Sequence, residues 1–92
     1  MFSTKEKILK TGLKLWIEDS AKVTPSGIGK VLGVSHSLII YHFPDGVRDA
    51  VAQYALDTDS LEVIGILIAT KHPRAEALTN AQRKDYIQRI WG

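Results

Sequence analysis

Few residues in this 92-residue sequence have the type and spacing that chemistry requires, and there is no cysteine among them. A thiol nucleophile, a disulfide framework and a thiolate zinc site are therefore excluded. The three histidines are His36, His42 and His72. His36 and His42 lie six positions apart in a short helical stretch, on different faces. That spacing does not make the i, i+4 pair that shares a metal ion. His72 has no partner nearby in sequence. Ser35 and His36 are neighbours, and neighbours on a helix point apart, so they do not form a nucleophile and base. The run Gly27-Ile28-Gly29-Lys30-Val31-Leu32-Gly33 places its last glycine one residue too far for the dinucleotide fingerprint. No strand precedes it, and Gly29-Lys30 lacks the context of a phosphate loop. No carboxylate pair stands out. Catalysis, a metal and a cofactor are not expected. The hydroxyls and imidazoles between Thr24 and His42 can instead donate and accept hydrogen bonds at phosphates and base edges.

Such side chains need a scaffold that holds them at a surface. Thr24-Pro25 is a helix start, because Thr caps and Pro at the first helical position loses no hydrogen bond. The helix it opens runs from Pro25 to Leu32 and stops at Gly33, a residue suited to left-handed backbone. Val34 is expected to plug the turn, and Ser35 to cap a third helix ending before Pro44. Ile28, Val31, Val34 and Ile39 can then form a small core between the two helices. This is the pattern of a helix-turn-helix, whose second helix lies in the major groove with its leading residues at base edges.

The rest of the chain also reads as helical, giving an all-α protein of about six helices without a sheet. Ser3-Thr4-Lys5-Glu6 fits a capping box for a first helix to about Asp19, with Leu9, Leu13, Trp16 and Ile17 inward. Asp45 can cap a fourth helix that turns Val47, Ala50, Val51, Tyr54 and Ala55 inward. Asp57-Thr58-Asp59-Ser60 is a turn or linker that caps again. Leu61 to Thr70 is apolar on nearly every side; its β-branched residues allow a strand, but without alternation it reads as a helix. His72-Pro73 breaks it, and Thr79-Asn80-Ala81-Gln82 offers a capping box for a last helix. Two short helices are thus expected after the fourth. The division expected is residues 1–56 for nucleic-acid binding and 57–92 for a helical extension.

Several of these residues together resemble the DNA-binding domain of the tetracycline-repressor (TetR) family. They are Ile8-Leu9-Lys10, Leu13-Lys14-Leu15-Trp16, Thr24-Pro25, Ile28-Gly29, Gly33-Val34-Ser35 and Ile39-Ile40-Tyr41-His42-Phe43, followed by the fourth helix, within residues 5 to about 55. The resemblance implies that Thr24, Pro25, Ser26, Ser35, His36, Ser37, Tyr41 and His42 face double-stranded DNA. The chain departs from the family at Leu38, where a small polar residue is common, at Ile40, where Tyr is common, and at Pro44-Asp45-Gly46, where Lys is common. No Lys or Arg lies between Lys30 and Arg48, so the recognition helix has no bidentate reader of guanine. Leu38 could meet a thymine methyl group, while Lys30, Lys22 and the basic C-terminal segment would supply phosphate contacts. Fewer than 40 residues follow residue 55, too few for the ligand-binding domain of a full family member. No small-molecule effector is expected.

Charge is uneven. Residues 1–48 carry seven Lys or Arg against four acids, residues 49–70 carry four acids and no base, and residues 71–92 carry five bases against two acids. A polyanion could use both ends with the middle turned toward protein; an unevenly charged solvated surface is the alternative. The apolar helix from Leu61 to Thr70 is expected to pair with its symmetry mate through Leu61, Ile64, Leu67 and Ile68, with Tyr86 and Trp91 as further anchors. The other possibility is that it completes the protomer's own core. No apolar run approaches the ~20 residues of a membrane span, and no apolar stretch follows the first seven residues as in a secretory signal. A cytoplasmic protein without membrane contact is expected. The functions left open are a dimeric or higher-oligomeric transcriptional regulator, a DNA-recognition subunit of another process such as phage packaging, and a helix-turn-helix used as a protein-interaction module.

Overall fold

A computed structural model of the chain describes residues 2–92. Among these residues the structure is helical throughout, with no strand. The α-helices are α1 (Thr4–Asp19), α2 (Pro25–Leu32), α3 (His36–His42), α4 (Val47–Asp57), α5 (Leu61–Ala69), α6 (Pro73–Glu76) and α7 (Asn80–Trp91), and a single 3-10 turn (Ser20–Lys22) follows α1. The chain divides into two compact units, Met1–Val51 and Ala52–Gly92, with the division inside α4.

In the first unit the Ser3 hydroxyl opens α1 by accepting the Glu6 N–H at 3.2 Å. The buried stripe of α1 is Ile8, Gly12, Leu15 and Trp16. This corrects the expected stripe, for Leu9 and Leu13 are only half-buried and Ile17 is exposed. Both sets have helical spacing, and Gly12 decides between them. A methyl group there would collide with Val51 of α4, so the bare backbone of Gly12 is what receives that helix. The 3-10 turn is capped by Asp19, whose carboxylate accepts the Ala21 N–H at 3.1 Å. Arg48 stacks its guanidinium 4.3 Å from the centre of the Trp16 ring and donates a hydrogen bond to the Ser20 carbonyl. The start of α4 is thereby tied to the end of α1. Asp45 does not cap α4. Gly46, at φ 113°, occupies that position, and its carbonyl accepts the Ala50 N–H.

In the second unit the Leu61–Thr70 stretch is a helix, and its Val63, Ile64, Gly65 and Leu67 are buried. The turn before it places Asp59 in left-handed backbone, and Ser60 makes no side-chain cap. α5 packs against α6 and α7. Three helices follow α4 rather than two. The added one, α6, has four residues and starts where α5 is broken: His72 Nδ1 accepts the Arg74 N–H at 3.1 Å, with Pro73 in the first turn. α7 begins with a complete capping box, the Thr79 hydroxyl accepting the Gln82 N–H at 3.1 Å and the Gln82 side chain accepting the Thr79 N–H at 2.9 Å. Arg83 of α7 holds α6 by donating to the Ala75 carbonyl and pairing with Glu76 at 3.2 Å. Arg89 bridges Asp59 and Asp85, and the Tyr86 hydroxyl donates to Asp59 at 3.4 Å.

Candidate nucleic-acid interface

The surface of interest is built on α2, α3 and the three residues between them. Thr24 caps α2, accepting the Gly27 N–H at 3.0 Å, and Pro25 sits in its first turn. Gly33 ends the helix at φ 71°, a left-handed conformation that a side chain resists. The chain then folds back so closely that the Val34 N–H donates to the Gly29 carbonyl at 3.0 Å. Ser35 starts α3 by accepting the Leu38 N–H at 3.3 Å. α2 and α3 pack on each other, with Ile28 and Ile39 wholly buried. Val31 and Val34 do not join this core. Val31 is 60% exposed and Val34 36% exposed, because α2 turns its Ile28–Gly29 side inward.

Ile39 points inward and thereby sets what α3 shows to solvent. Its exposed residues are His36, Ser37, Ile40 and Tyr41, spaced i, i+1, i+4, i+5 along one face. Tyr41 is 79% exposed and Ile40 47% exposed. Leu38 and His42 are half-buried, on the side of α3 away from this face. The Tyr41 and His42 rings meet edge to face, 5.3 Å between centres.

The other expected contact residues fall on two sides of α3. Ser26 and Lys30 of α2 line a shallow groove with Ser35 and His36. Thr24 and Pro25 line a second, more apolar groove with Ile40, Phe43 and Pro44. Ser26, Lys30, Ser35, His36, Ser37 and Tyr41 are exposed, as is Thr24, while Pro25 is half-buried. Ile40 is the residue that a reading by polar type leaves out. Its signal is spacing, since it stands four residues after His36 and three after Ser37.

No family model, curated protein or solved structure matches the chain.

Charge on this surface is sparse but of one main sign. Lys22 and Lys30 are exposed, and Asp45 is the exposed acid between Lys30 and Arg48 in the chain. Arg48 is engaged on Trp16 and Ser20. Lys5 of α1 stands 5.9 Å from the Phe43 ring, just past the end of α3. Among the described residues no group of three or more His, Asp or Glu converges to hold a metal ion, and no helix is long and apolar enough to cross a membrane.

The expected pairing surface on α5 needs correction. Ile64 and Leu67 are wholly buried within the chain, and Leu61 and Ile68 are half-buried. On α5 the neighbouring Gly65 is covered by α7, whose Ile90 and Trp91 have atoms 3.5 and 3.6 Å from where its Cβ would stand. Tyr86 is half-buried and occupied with Asp59. Trp91 keeps 60% of its surface exposed, and Ile87, one turn earlier, keeps 40%.

Proposed function

We propose that this chain is a small sequence-specific DNA-binding protein, a transcriptional regulator in its simplest form, in which α2 and α3 act as a helix-turn-helix. The observation that carries the reading is the division of α3 into a buried Ile39 and an open face of His36, Ser37, Ile40 and Tyr41. A large aromatic ring at 79% exposure contributes little to folding, whereas its hydroxyl and edge suit a groove. Ser26 and Lys30 stand beside the leading residues of α3 in the same groove and supply phosphate contacts. The surplus of seven basic residues over five acids in residues 1–51 gives the unit the right sign for a polyanion. A cytoplasmic location belongs to the same reading.

The chain acts as a dimer in this proposal, with α7 rather than α5 as the contact, since Ile87 and Trp91 are the large apolar residues still open on the second unit. The exposed Val31 and Ile40 favour a second reading, a helix-turn-helix that docks on protein. Titration with duplex DNA at two salt concentrations separates the readings. Phosphate contacts predict a steep loss of affinity with salt. Absent or salt-indifferent binding would favour the protein-docking module.

A further inference from the structure

The exposed face of α3 has an unusual composition for reading bases. None of its four side chains, His36, Ser37, Ile40 and Tyr41, is a lysine or an arginine, and none is an asparagine or glutamine. The bidentate contacts that read guanine and adenine require those residue types. The nearest guanidinium in sequence, Arg48, is held on Trp16 and Ser20. Lys30 lies at the groove beside His36, on α2 rather than on the face of α3. What the face does offer is apolar surface at Ile40 and Tyr41, flanked by one hydroxyl and one imidazole. In the major groove the one apolar feature of an unmodified base pair is the 5-methyl group of thymine.

We infer that α3 selects its site through thymine methyl groups, with Ile40 and the Tyr41 ring as the contacting surfaces, so that the preferred duplex holds A·T pairs where α3 lies. This rests on the DNA-binding reading above. Leu38 does not serve, because it is half-buried whereas Ile40 and Tyr41 are exposed. The occupant is duplex DNA rather than a protein, because this apolar face lies on a unit, residues 1–51, with seven basic residues against five acids. Exposed Lys22 precedes α2 and exposed Lys30 lies on it, and α2 is the helix packed on α3. His36 and Ser37 add single hydrogen bonds that fix the register.

The test uses the full chain and the duplex recovered from a selection on random-sequence DNA. That duplex is compared with versions in which thymines are replaced one at a time by uracil, which removes the methyl group and leaves every hydrogen-bonding atom. The expected result is an affinity loss of about fourfold for each contacted methyl, the equivalent of one buried methyl group. Ile40→Ala and Tyr41→Ala should lose this discrimination, remain folded by circular dichroism and keep the same dependence on salt. If the wild-type chain binds with steep salt dependence but treats uracil and thymine duplexes alike, the methyl readout is overturned and the DNA-binding reading stands. If it binds no duplex at low salt, the DNA-binding reading itself falls.

Discussion

A methyl group on Gly29 would lie 2.7 Å from the backbone carbonyl oxygen of Val34. The turn after α2 is folded so tightly onto its own helix that only a residue without a side chain fits at the crossing. Backbone cannot step aside as a flexible side chain would, so Gly29→Ala must push α3 away from α2. The expected cost is about 1–3 kcal/mol of stability, that of an overpacked interior. Thermal or urea denaturation reads it directly. In Gly33→Ala the strain comes from φ 71° alone, with open space around the new methyl group, so the loss should be smaller, about 1 kcal/mol. Equal losses in the two variants would mean that the turn is looser than this geometry.

The open face of α3 makes a prediction about which substitutions spare the fold. His36→Ala and Tyr41→Ala should each weaken binding to a preferred duplex by about 1–3 kcal/mol while leaving the denaturation midpoint nearly unchanged. Lys30→Ala should behave differently, weakening binding to all duplexes alike and lowering the slope of affinity against salt by about one. Loss of folding in His36→Ala or Tyr41→Ala would show that these side chains support the core instead.

Four of the helix starts were legible in the sequence because the signals that set them are local. Ser3, Thr24, Ser35 and Thr79 each accept an N–H three residues ahead, and that bond needs nothing from the rest of the chain. Rotation about the helix axis was not legible to the same degree. α1 carries apolar residues on two adjoining stripes, and the choice between them depends on α4 arriving at Gly12, a contact between residues far apart in sequence. Similarly, Val31 and Val34 look like core by type, but the inward turn of Ile28 and Gly29 leaves them in water. For α5 the apolar surface was plain and the cover over Gly65 was not, since Ile90 and Trp91 lie on the last helix. α6 escaped notice because a histidine ring nitrogen serves as its cap. The polar members of the α3 face could be named from residue type, whereas Ile40 joined them only once Ile39 was seen to be buried.

Tyr86 gives the second unit an alkaline limit. Its phenol donates a hydrogen bond to Asp59, and partial burial, followed by the negative charge of Asp59, raises its pKa above the ordinary value of 10.0. A pKa raised on folding means that the folded state holds the proton more tightly than the unfolded chain does. The stabilisation is therefore full below pH 10.0 and is lost as pH climbs through the raised value. Denaturation midpoints should fall between pH 10 and pH 12 more steeply for the wild type than for Tyr86→Phe, which has no proton to lose. Parallel curves for the two proteins would show that the Tyr86 pKa is not raised on folding.

Trp91 is the sharpest test of self-association. Its ring covers Gly65 on one side, yet 60% of its surface faces outward beside Ile87 on the same helix face. A second copy docking there would bury that surface about a two-fold axis. Association that favours the folded state makes the melting temperature depend on protein concentration. The wild-type chain should sediment as a dimer at micromolar concentration and melt at a temperature that rises with concentration. Trp91→Ser should sediment as a monomer and melt at one temperature throughout, with its helical circular dichroism retained. A wild-type chain that sediments as a monomer across that range would remove α7 as a contact, and Ile87 with it.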